Sequence, residues 1–401
     1  MTKKIEPAKR ATLIKHATRD LVPIAKEIEK QGKKVIYLNI GDPIAFGFRT
    51  PKHLWEAINS NQKLGEKYSD SLGNEKARQA VAEYAQKNGV KGITKEDTMT
   101  FTGGSEAIIL SMQALFNPKE NCLIPCPGYS MYNGELAFLE AEAKEYYLEE
   151  EKDWEIDLES LEKNINEKTK AIVIINPNNP TGSVLKKNML KKVIDIAGSN
   201  NLLILADETY DKIIYDEEKF IPIATLSKDV PIISYGSISK NYLAPGFRGG
   251  WLYKHDPLNQ MQEYFETIKK LARLRLSPPS PIQFAIEAAL KGPQDHIKEM
   301  ITILQKRRDI TYKRLNEIEK ISCTKPKGAF YAFPKINTKI ESDKDFVIDL
   351  AKEKGVLTVH GEGFGQKEGT KHFRIIFLPE EQILEEALNK IEEYMKEKFT
   401  K

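Results

Sequence analysis

Residues 202–207 read LLILAD, a short apolar run that ends in a carboxylate, and similar runs occur at 171–176 (AIVIIN) and 232–237 (IISYGS). Continuous apolar runs of this length are typical of strands buried on both faces of a parallel sheet. Helical patterning fills the intervals, as at 186–197, and Gly198 is predicted to cap that helix. The alternation predicts an α/β sandwich that binds ligands at the carboxyl ends of its strands.

The last third of the sequence has a different pattern. A long amphipathic stretch covers about 281–319 and is interrupted at Gly292 and Pro293. Further strand-like and helical segments follow at 328–333, 355–359, 373–377 and 380–398. This content predicts a second, smaller α+β domain.

The composition excludes several classes of protein. Among 401 residues, 61 Lys and Arg stand against 58 Asp and Glu, a net charge of +3 that is too balanced to favour nucleic acid or a membrane surface. The cysteines, Cys122, Cys126 and Cys323, lack the spacing of a disulfide framework or a zinc site, so we expect a reducing compartment and no metal. No apolar stretch follows the charged residues 1–6, and no window reaches the ~20 apolar residues of a spanning helix, which predicts a cytoplasmic protein.

Lys240 is the most informative single residue, because it follows an apolar run and lies among small side chains in SISK (237–240). An amine in a partly desolvated site has a lowered pKa and can form a Schiff base. The best-known partner of such a lysine is pyridoxal phosphate, whose phosphate Ser237 and Arg248 are placed to hold. The alternative is a surface lysine beside a turn.

Asp207 ends the apolar run 202–206, where a buried carboxylate is costly unless it is paired. A protonated pyridine nitrogen is a suitable partner, and Tyr210 lies three residues further on, within reach of the phenolic oxygen of the same ring. The alternative is an aspartate that caps a helix. Together with Lys240, the cofactor interpretation is favoured.

Three other segments also point to a cofactor or substrate site. The string NPNNPTG (176–182) makes a rigid turn after a strand, although it could also be an ordinary Asn/Pro turn. Gly103 and Gly104 precede a helical run, where backbone N–H groups can cradle a phosphate or simply form a turn. Arg374, inside the apolar segment 373–377, needs an anionic partner, either a substrate carboxylate or a structural salt bridge.

These motifs, in this order, resemble those of the class I and II aminotransferases of the aspartate-aminotransferase superfamily. The resemblance extends from NIGDP (39–43) to HFR (372–374), and the segment GDPIAFGF (41–48) looks most like the alanine-aminotransferase branch. It departs from the family at Gly249, where an aliphatic residue is usual, and at His360, which replaces a proline and is given no catalytic role here.

The resemblance implies a role for each matched residue. Asn179 would donate to the phenolic oxygen of the cofactor, and Ser105 would complete the phosphate loop. Tyr129 would stack on the pyridine ring unless it is a core tyrosine. Tyr68 would reach the phosphate of the partner subunit, which requires a homodimer. Arg374 would bind the substrate α-carboxylate with help from the backbone at Gly41.

The sequence therefore predicts a fold-type-I, pyridoxal-phosphate-dependent aminotransferase. Residues 46–290 would form the large domain, and 1–45 together with 291–401 the small one. Lys240 would act as base and then acid in a ping-pong transfer from an L-amino acid, with alanine as the first guess, to 2-oxoglutarate. Alternatives are aspartate, aromatic or methionine substrates, a β-lyase reaction, or a non-catalytic binding module. An NAD enzyme is disfavoured because no GxGxxG follows the first strand.

Overall fold

The computed structural model describes residues 4–14 and 17–399. Residues 1–3, 15–16 and 400–401, which include part of the charged N-terminus and both ends of the predicted small domain, lie outside the described residues. Within the described ranges, no helix is both long enough and apolar enough to cross a membrane. The cytoplasmic location stays a prediction.

The strands, in chain order, are β1 (Ile36–Tyr37), β2 (Thr98–Thr102), β3 (Asn121–Cys126), β4 (Glu142–Glu149), β5 (Glu155–Ile156), β6 (Thr169–Ile175), β7 (Leu203–Asp207), β8 (Ile232–Ser237), β9 (Gly249–His255), β10 (Ile321–Ser322), β11 (Tyr331–Ala332), β12 (Lys335–Ile336), β13 (Val356–Leu357), β14 (Val359–His360) and β15 (Phe373–Ile376). The α-helices are α1 (Ala17–Asp20), α2 (Val22–Lys30), α3 (Lys52–Ser60), α4 (Gln62–Gly65), α5 (Glu75–Lys87), α6 (Gly103–Leu115), α7 (Met131–Phe138), α8 (Leu158–Lys163), α9 (Lys187–Ser199), α10 (Gln262–Leu274), α11 (Ser280–Lys291), α12 (Asp295–Glu317), α13 (Asp343–Lys354) and α14 (Glu381–Phe399).

Eight strands form one large sheet in the order β2-β9-β8-β7-β6-β3-β4-β5. The central strands β3, β4, β6, β7 and β8 are parallel, whereas β9 is antiparallel to both its neighbours and β5 is antiparallel to β4. This mostly parallel sheet confirms the predicted α/β class. It places the carboxyl ends of β6, β7 and β8 side by side.

The apolar runs are buried on both faces of the sheet, as their composition predicted. Leu203 and Leu205 of β7 belong to one apolar core, which also contains residues of α6 and α10. Ile204 and Ala206 belong to the other, with residues of α9, α11 and α5. Fully burying each such leucine or isoleucine contributes roughly 1.5–3 kcal/mol, so helices are needed on both sides.

One detail of the helix prediction was wrong. Helix α9 does not end at Gly198 but continues to Ser199, with Asn200 as its C-cap. Asn200 bonds through its backbone N–H to the carbonyl of Ala197 and through its side chain to the carbonyl of Ile196. Asparagine supplies here the end that glycine was expected to provide.

The C-terminal third forms smaller sheets that are packed with helices. Strand β15 lies between β11 and β14, and β1 pairs in parallel with β13, with Ile36 opposite Val356. The turn into β13 passes through Gly355, whose φ of +67° ends α13 in the left-handed conformation. Residues near the N-terminus therefore share a sheet with residues near the C-terminus. The domain boundaries at 45/46 and 290/291 stay a prediction.

Candidate active site

The carboxyl ends of the central strands open on a cavity of about 560 Å³. It is lined by most of the residues that the sequence predicted for the site: Gly41, Gly104, Ser105, Tyr129, Asn179, Asp207, Tyr210, Ser237, Lys240, Arg248 and Arg374. Parallel strands end at the same edge of a sheet, which is why residues far apart in sequence meet there. Of the other predicted residues, Gly103 touches this group and Tyr68 does not.

Lys240 follows the end of β8, and its side chain reaches into the cavity. Its Nζ donates a hydrogen bond of 2.6 Å to the carbonyl of Gly41. Burial lowers the pKa of the Lys240 amine to about 8; three neighbouring arginines act in the same direction, and Asp42 opposes them. An amine with this pKa has a far larger neutral fraction near physiological pH than an ordinary lysine, and the neutral amine is the form that attacks a carbonyl carbon.

Asp207 is a buried carboxylate at the end of β7. It accepts hydrogen bonds from the backbone N–H of Thr209 at 3.2 Å and from the hydroxyl of Tyr132 at 3.3 Å. Among the described residues no lysine or arginine forms an ion pair with it, and burial raises the pKa of its carboxyl group. A buried carboxylate without a cationic partner fits a ligand that brings one, such as a protonated ring nitrogen.

Arg374 is buried and also lines the cavity. One Nη donates to Oδ1 of Asn179 at 3.0 Å, and the other donates to the carbonyl of Asn39. The rings of Tyr331 and Phe364 lie 4.6 and 4.5 Å from the guanidinium carbon. Its Nε has no hydrogen-bond partner in the part of the chain that is described. With rings and amides rather than a carboxylate around it, this guanidinium fits an anionic group of a substrate.

Tyr210 and Tyr331 form a hydroxyl pair in the cavity, with 2.8 Å between their oxygens. A Cβ on Gly41 would overlap the Tyr331 hydroxyl, so this part of the wall admits no larger side chain at that position. Tyr129 lines the same cavity, and burial raises its pKa to about 12, which keeps its hydroxyl protonated.

The start of α6 and Arg248 form a positively charged end of the cavity. Gly103, with φ of +77°, lies against the guanidinium of Arg248, and its missing Cβ makes this contact possible. A Cβ on Gly250 would overlap the backbone of Gly103 and Gly104, which brings β9 and the helix start together. Helix N–H groups, a guanidinium and the nearby Ser237 hydroxyl fit a phosphate.

Tyr68 is 78% exposed and does not line the cavity. Its predicted role, contact with the phosphate of a partner subunit, stays a prediction.

Sequence reasoning missed several residues that line the cavity or form hydrogen bonds with its residues. They are Thr18, Asp42, Tyr132, Thr209, Ser239 and Tyr331. Tyr331 was assigned only to a strand, and no local signal marked it as a site residue. Tyr132 lies 75 positions from Asp207 in sequence, so only the fold brings the two together.

Comparison with known proteins agrees with this geometry. Residues 33–391 match the family described as Aminotransferase class I and II. The chain is 39% identical over 382 residues to the glutamate-pyruvate aminotransferase AlaA of Haemophilus influenzae, covering 93% of this chain and 94% of that one. It is 36% identical over 378 residues to the alanine aminotransferase of Mycobacterium tuberculosis, covering 92% and 88%.

A solved structure gives the same result. The alanine aminotransferase from Pyrococcus furiosus superposes with a TM-score of 0.95 at 44% identity, over 98% of this chain and 100% of that one. The fold-type-I architecture, the enzyme class and the cofactor predicted from the sequence are thereby confirmed. The chain belongs to the class I and II aminotransferases, enzymes that use pyridoxal phosphate.

Proposed function

We propose that this aminotransferase moves the amino group of L-alanine, or of a similarly small L-amino acid, to 2-oxoglutarate by a ping-pong mechanism. The observation that carries the proposal is Arg374, a buried guanidinium on the cavity wall with an unpartnered Nε among the described residues. Relatives named as glutamate-pyruvate and alanine aminotransferases support alanine as the donor.

The residues around Lys240 define the proton transfer. Pyridoxal phosphate, when bound, supplies a carbonyl that takes up the amino group and a ring that accepts the electron pair left by the α-proton. In our proposal the Nζ of Lys240 would remove the proton from the substrate Cα and deliver it to the former carbonyl carbon of the cofactor, and the second half-reaction would run these transfers in reverse. A pKa of about 8 suits both tasks, since a group that must act as base and then acid works best near the operating pH.

The other residues would hold and orient the cofactor. Asp207 would pair with the ring nitrogen, and Tyr210 and Asn179 would donate to the phenolic oxygen. Arg248, together with Ser237 and the start of α6, would bind the phosphate. Asp207 accepts from a backbone amide and a tyrosine hydroxyl, and Arg248 donates to the hydroxyl of Ser239 and the carbonyl of Pro245, so each charged group suits a ligand of opposite charge.

A dicarboxylate substrate needs a second cationic contact besides Arg374. Of the arginines considered from the sequence, Arg19 lines the cavity, whereas Arg49 and Arg273 do not. Arg275 already bonds to the carbonyls of Ser71 and Thr100 and pairs with Glu106 at 3.0 Å. Arg19 is exposed at the entrance of the cavity, so its side chain can move toward the second carboxylate of a dicarboxylate substrate.

Other substrates have a specific observation in their favour. A tyrosine aminotransferase from Mus musculus is 33% identical over 392 residues, covering 95% of this chain and 85% of that one. An aromatic donor is therefore the second candidate. A β-lyase reaction would use the same cofactor and the same lysine.

A substrate panel tests the proposal. Alanine, aspartate, tyrosine and methionine should each be offered with 2-oxoglutarate while glutamate formation and free ammonia are measured. We expect the largest kcat/KM for alanine and no ammonia. Faster turnover of tyrosine or aspartate would overturn the alanine assignment but leave the reaction type intact. Ammonia release without a 2-oxo acid acceptor would indicate a lyase.

We also propose that the enzyme is a homodimer. Large apolar side chains are exposed on segments that contact one another: Trp55, Leu64, Tyr68, Leu274 and Leu276. The hydroxyl of Ser280 bonds to the carbonyl of Lys67, and the amide of Gln283 bonds to Ser69, which joins 67–71 to 275–283. Several large apolar side chains exposed on neighbouring segments are typical of a protein interface.

A further inference from the structure

A cluster of three metal-ligating side chains lies in the small domain, outside the cavity. Asp343 begins α13, His360 ends β14, and Glu362 belongs to the short helix Gly361–Phe364. Each offers one ligand atom, and the three atoms all lie within 4.8 Å of one another. We propose that they bind a divalent transition-metal ion, with Zn²⁺ as the best match, and that the ion fixes the turn that packs on Arg374.

Asp343 is the strongest indication, because its side chain is fully buried. Its Oδ2 accepts from the backbone N–H of Glu362 at 2.9 Å and from Nε2 of Gln366 at 2.7 Å. Its Oδ1 is buried and has no hydrogen-bond partner among the residues that the structure describes. A buried carboxylate oxygen left in this way is costly unless a cation or donor meets it.

His360 gives a second, independent indication. It is 9% exposed, and its Nδ1 is buried with no hydrogen-bond partner in the described ranges. Four charged groups, Asp343, Glu362, Asp20 and Lys344, lie close enough to influence this ring, and three of these four are acidic, which favours a bound cation.

The donor set selects the metal. One imidazole nitrogen with two carboxylate oxygens suits Zn²⁺ and related transition ions, whereas Mg²⁺ and Ca²⁺ prefer oxygen ligands alone. Metal–ligand distances of roughly 2.0–2.2 Å place ligand atoms about 3.3 Å apart, so ligand atoms that now lie within 4.8 Å of one another would draw closer on binding. Glu362 is exposed and can move, and a water would supply the fourth ligand.

The ion would act on the active site through the turn. His360 pairs with Phe373 across β14 and β15, directly beside the pair of Val359 and Arg374. The same turn carries Phe364, whose ring lies 4.5 Å from the Arg374 guanidinium carbon and whose carbonyl accepts from Gly128 at 2.7 Å. An ion that fixes this turn would therefore also fix the position of Phe364 against Arg374.

This proposal departs from the sequence-based expectation of no metal, which rested on the spacing of the cysteines. The three ligands are 17 and 2 positions apart, and no local motif joins them. Strand pairing between β14 and β15 and the start of α13 bring them together.

Metal binding to the untagged, cofactor-loaded enzyme tests the proposal. After treatment with a chelator, equilibrium dialysis against Zn²⁺ should give one ion per chain, and Zn²⁺ but not Mg²⁺ should raise Tm. Glu362→Gln, at an exposed position that should not disturb folding, should weaken Zn²⁺ binding on the order of tenfold or more, since even groups that only orient ligands change affinity 10–100-fold. Asp345→Asn, an exposed acid on the same helix, is the matched control and should bind as wild type does.

X-ray absorption of the bound Zn²⁺ identifies the ligands directly. We expect nitrogen and oxygen neighbours, including one imidazole, and no sulfur. Sulfur ligation would place the ion on a cysteine and overturn the proposal. So would unchanged Zn²⁺ affinity in Glu362→Gln, or an equal rise of Tm with Mg²⁺.

Discussion

The Lys240 amine has a pKa of about 8 because burial disfavours its charged form. Below that pH it is mostly protonated and cannot attack a carbonyl; above it the neutral amine prevails. We therefore expect the rate at which cofactor-free enzyme captures pyridoxal phosphate to rise as the pH increases through about 8, measured by absorbance in the visible. Lys240→Ala should show neither this capture nor turnover.

A capture rate that stays constant across that pH range would contradict the assignment. So would borohydride reduction that fixes the cofactor to a lysine other than Lys240 in peptide mapping.

Substitution of Asp207 should change the stability and the activity of the enzyme in different ways. Burial raises the pKa of the Asp207 carboxyl group in the folded protein, so the folded state binds this proton more tightly than the unfolded state does. At pH values above the pKa of the unfolded state, the carboxylate therefore destabilises the cofactor-free protein. Asp207→Asn removes that charge at neutral pH. We expect the cofactor-free variant to melt no lower than wild type, while kcat falls on the order of 100-fold or more.

Near wild-type turnover in Asp207→Asn would refute the pairing with the ring nitrogen. Tyr132→Phe is the companion variant, since it removes one hydrogen bond to the carboxylate and leaves the charge. It should have a much smaller effect on kcat.

Arg374 should serve every substrate, because amino acids and 2-oxo acids share an α-carboxylate. Losing a charge-assisted bidentate contact costs about 1.5–3 kcal/mol or more. Arg374→Ala should therefore lower kcat/KM for the amino acid and the oxo acid by similar factors, measured in the two half-reactions separately. Arg374→Lys keeps the positive charge but not the planar guanidinium that binds a carboxylate through two hydrogen bonds, so it should recover only part of the loss.

A loss confined to one of the two substrates would show that Arg374 recognises a side-chain group instead. Melting temperatures of both variants check that the loss reflects binding, because the hydrogen bonds from Arg374 to Asn179 and Asn39 also hold the wall of the cavity.

At the scale of elements, strand β9 and helix α6 depend on Gly250. A Cβ at this position would overlap the backbone of Gly103 and Gly104, neither of which can move aside as a flexible side chain would. We expect Gly250→Ala to displace the start of α6, weaken binding of pyridoxal phosphate and lower Tm. Dissociation constants for the cofactor and thermal melts measure both effects.

Gly134→Ala is the matched control, because Gly134 lies within α7 and a Cβ there would meet, among the described residues, only Ile14 at an ordinary 3.7 Å. Alanine in a helix interior is favoured over glycine by up to about 1 kcal/mol. The control should bind cofactor normally and melt at or above the wild-type temperature. Equal losses in both variants would count against a specific role of Gly250.

For the whole molecule, the proposed dimer predicts a concentration-dependent assembly. Sedimentation should give twice the mass of the 45.6 kDa chain at working concentration. Leu274, 81% exposed, is the apolar residue to change: Leu274→Glu should shift the equilibrium toward monomer and reduce activity in proportion. Ile5→Glu, at another exposed apolar residue, should not. A fully active monomer would refute both the dimer and the role of Tyr68.

The sequence predicted the sheet and the chemistry for reasons that are local. A run such as 202–206 is apolar throughout because both faces of the strand are buried, and this can be recognised without knowing its neighbours. Lys240, Asp207 and the turn 176–182 follow such runs, and the carboxyl ends of parallel strands meet at one edge of a sheet. Their presence in one cavity followed from topology that the alternation of strands and helices already indicated.

Contacts between segments far apart in sequence were decided only by the tertiary structure. The partners Tyr132 and Asp207, the pair Tyr210 and Tyr331, and the approach of Gly250 to the start of α6 leave no mark in local composition. The same holds for Arg19 at the cavity. Hydrophobic periodicity reports which face of an element is buried, whereas which elements touch depends on how the faces pack. Sequence therefore determined the elements and the reactive groups, and packing decided which groups act on one another.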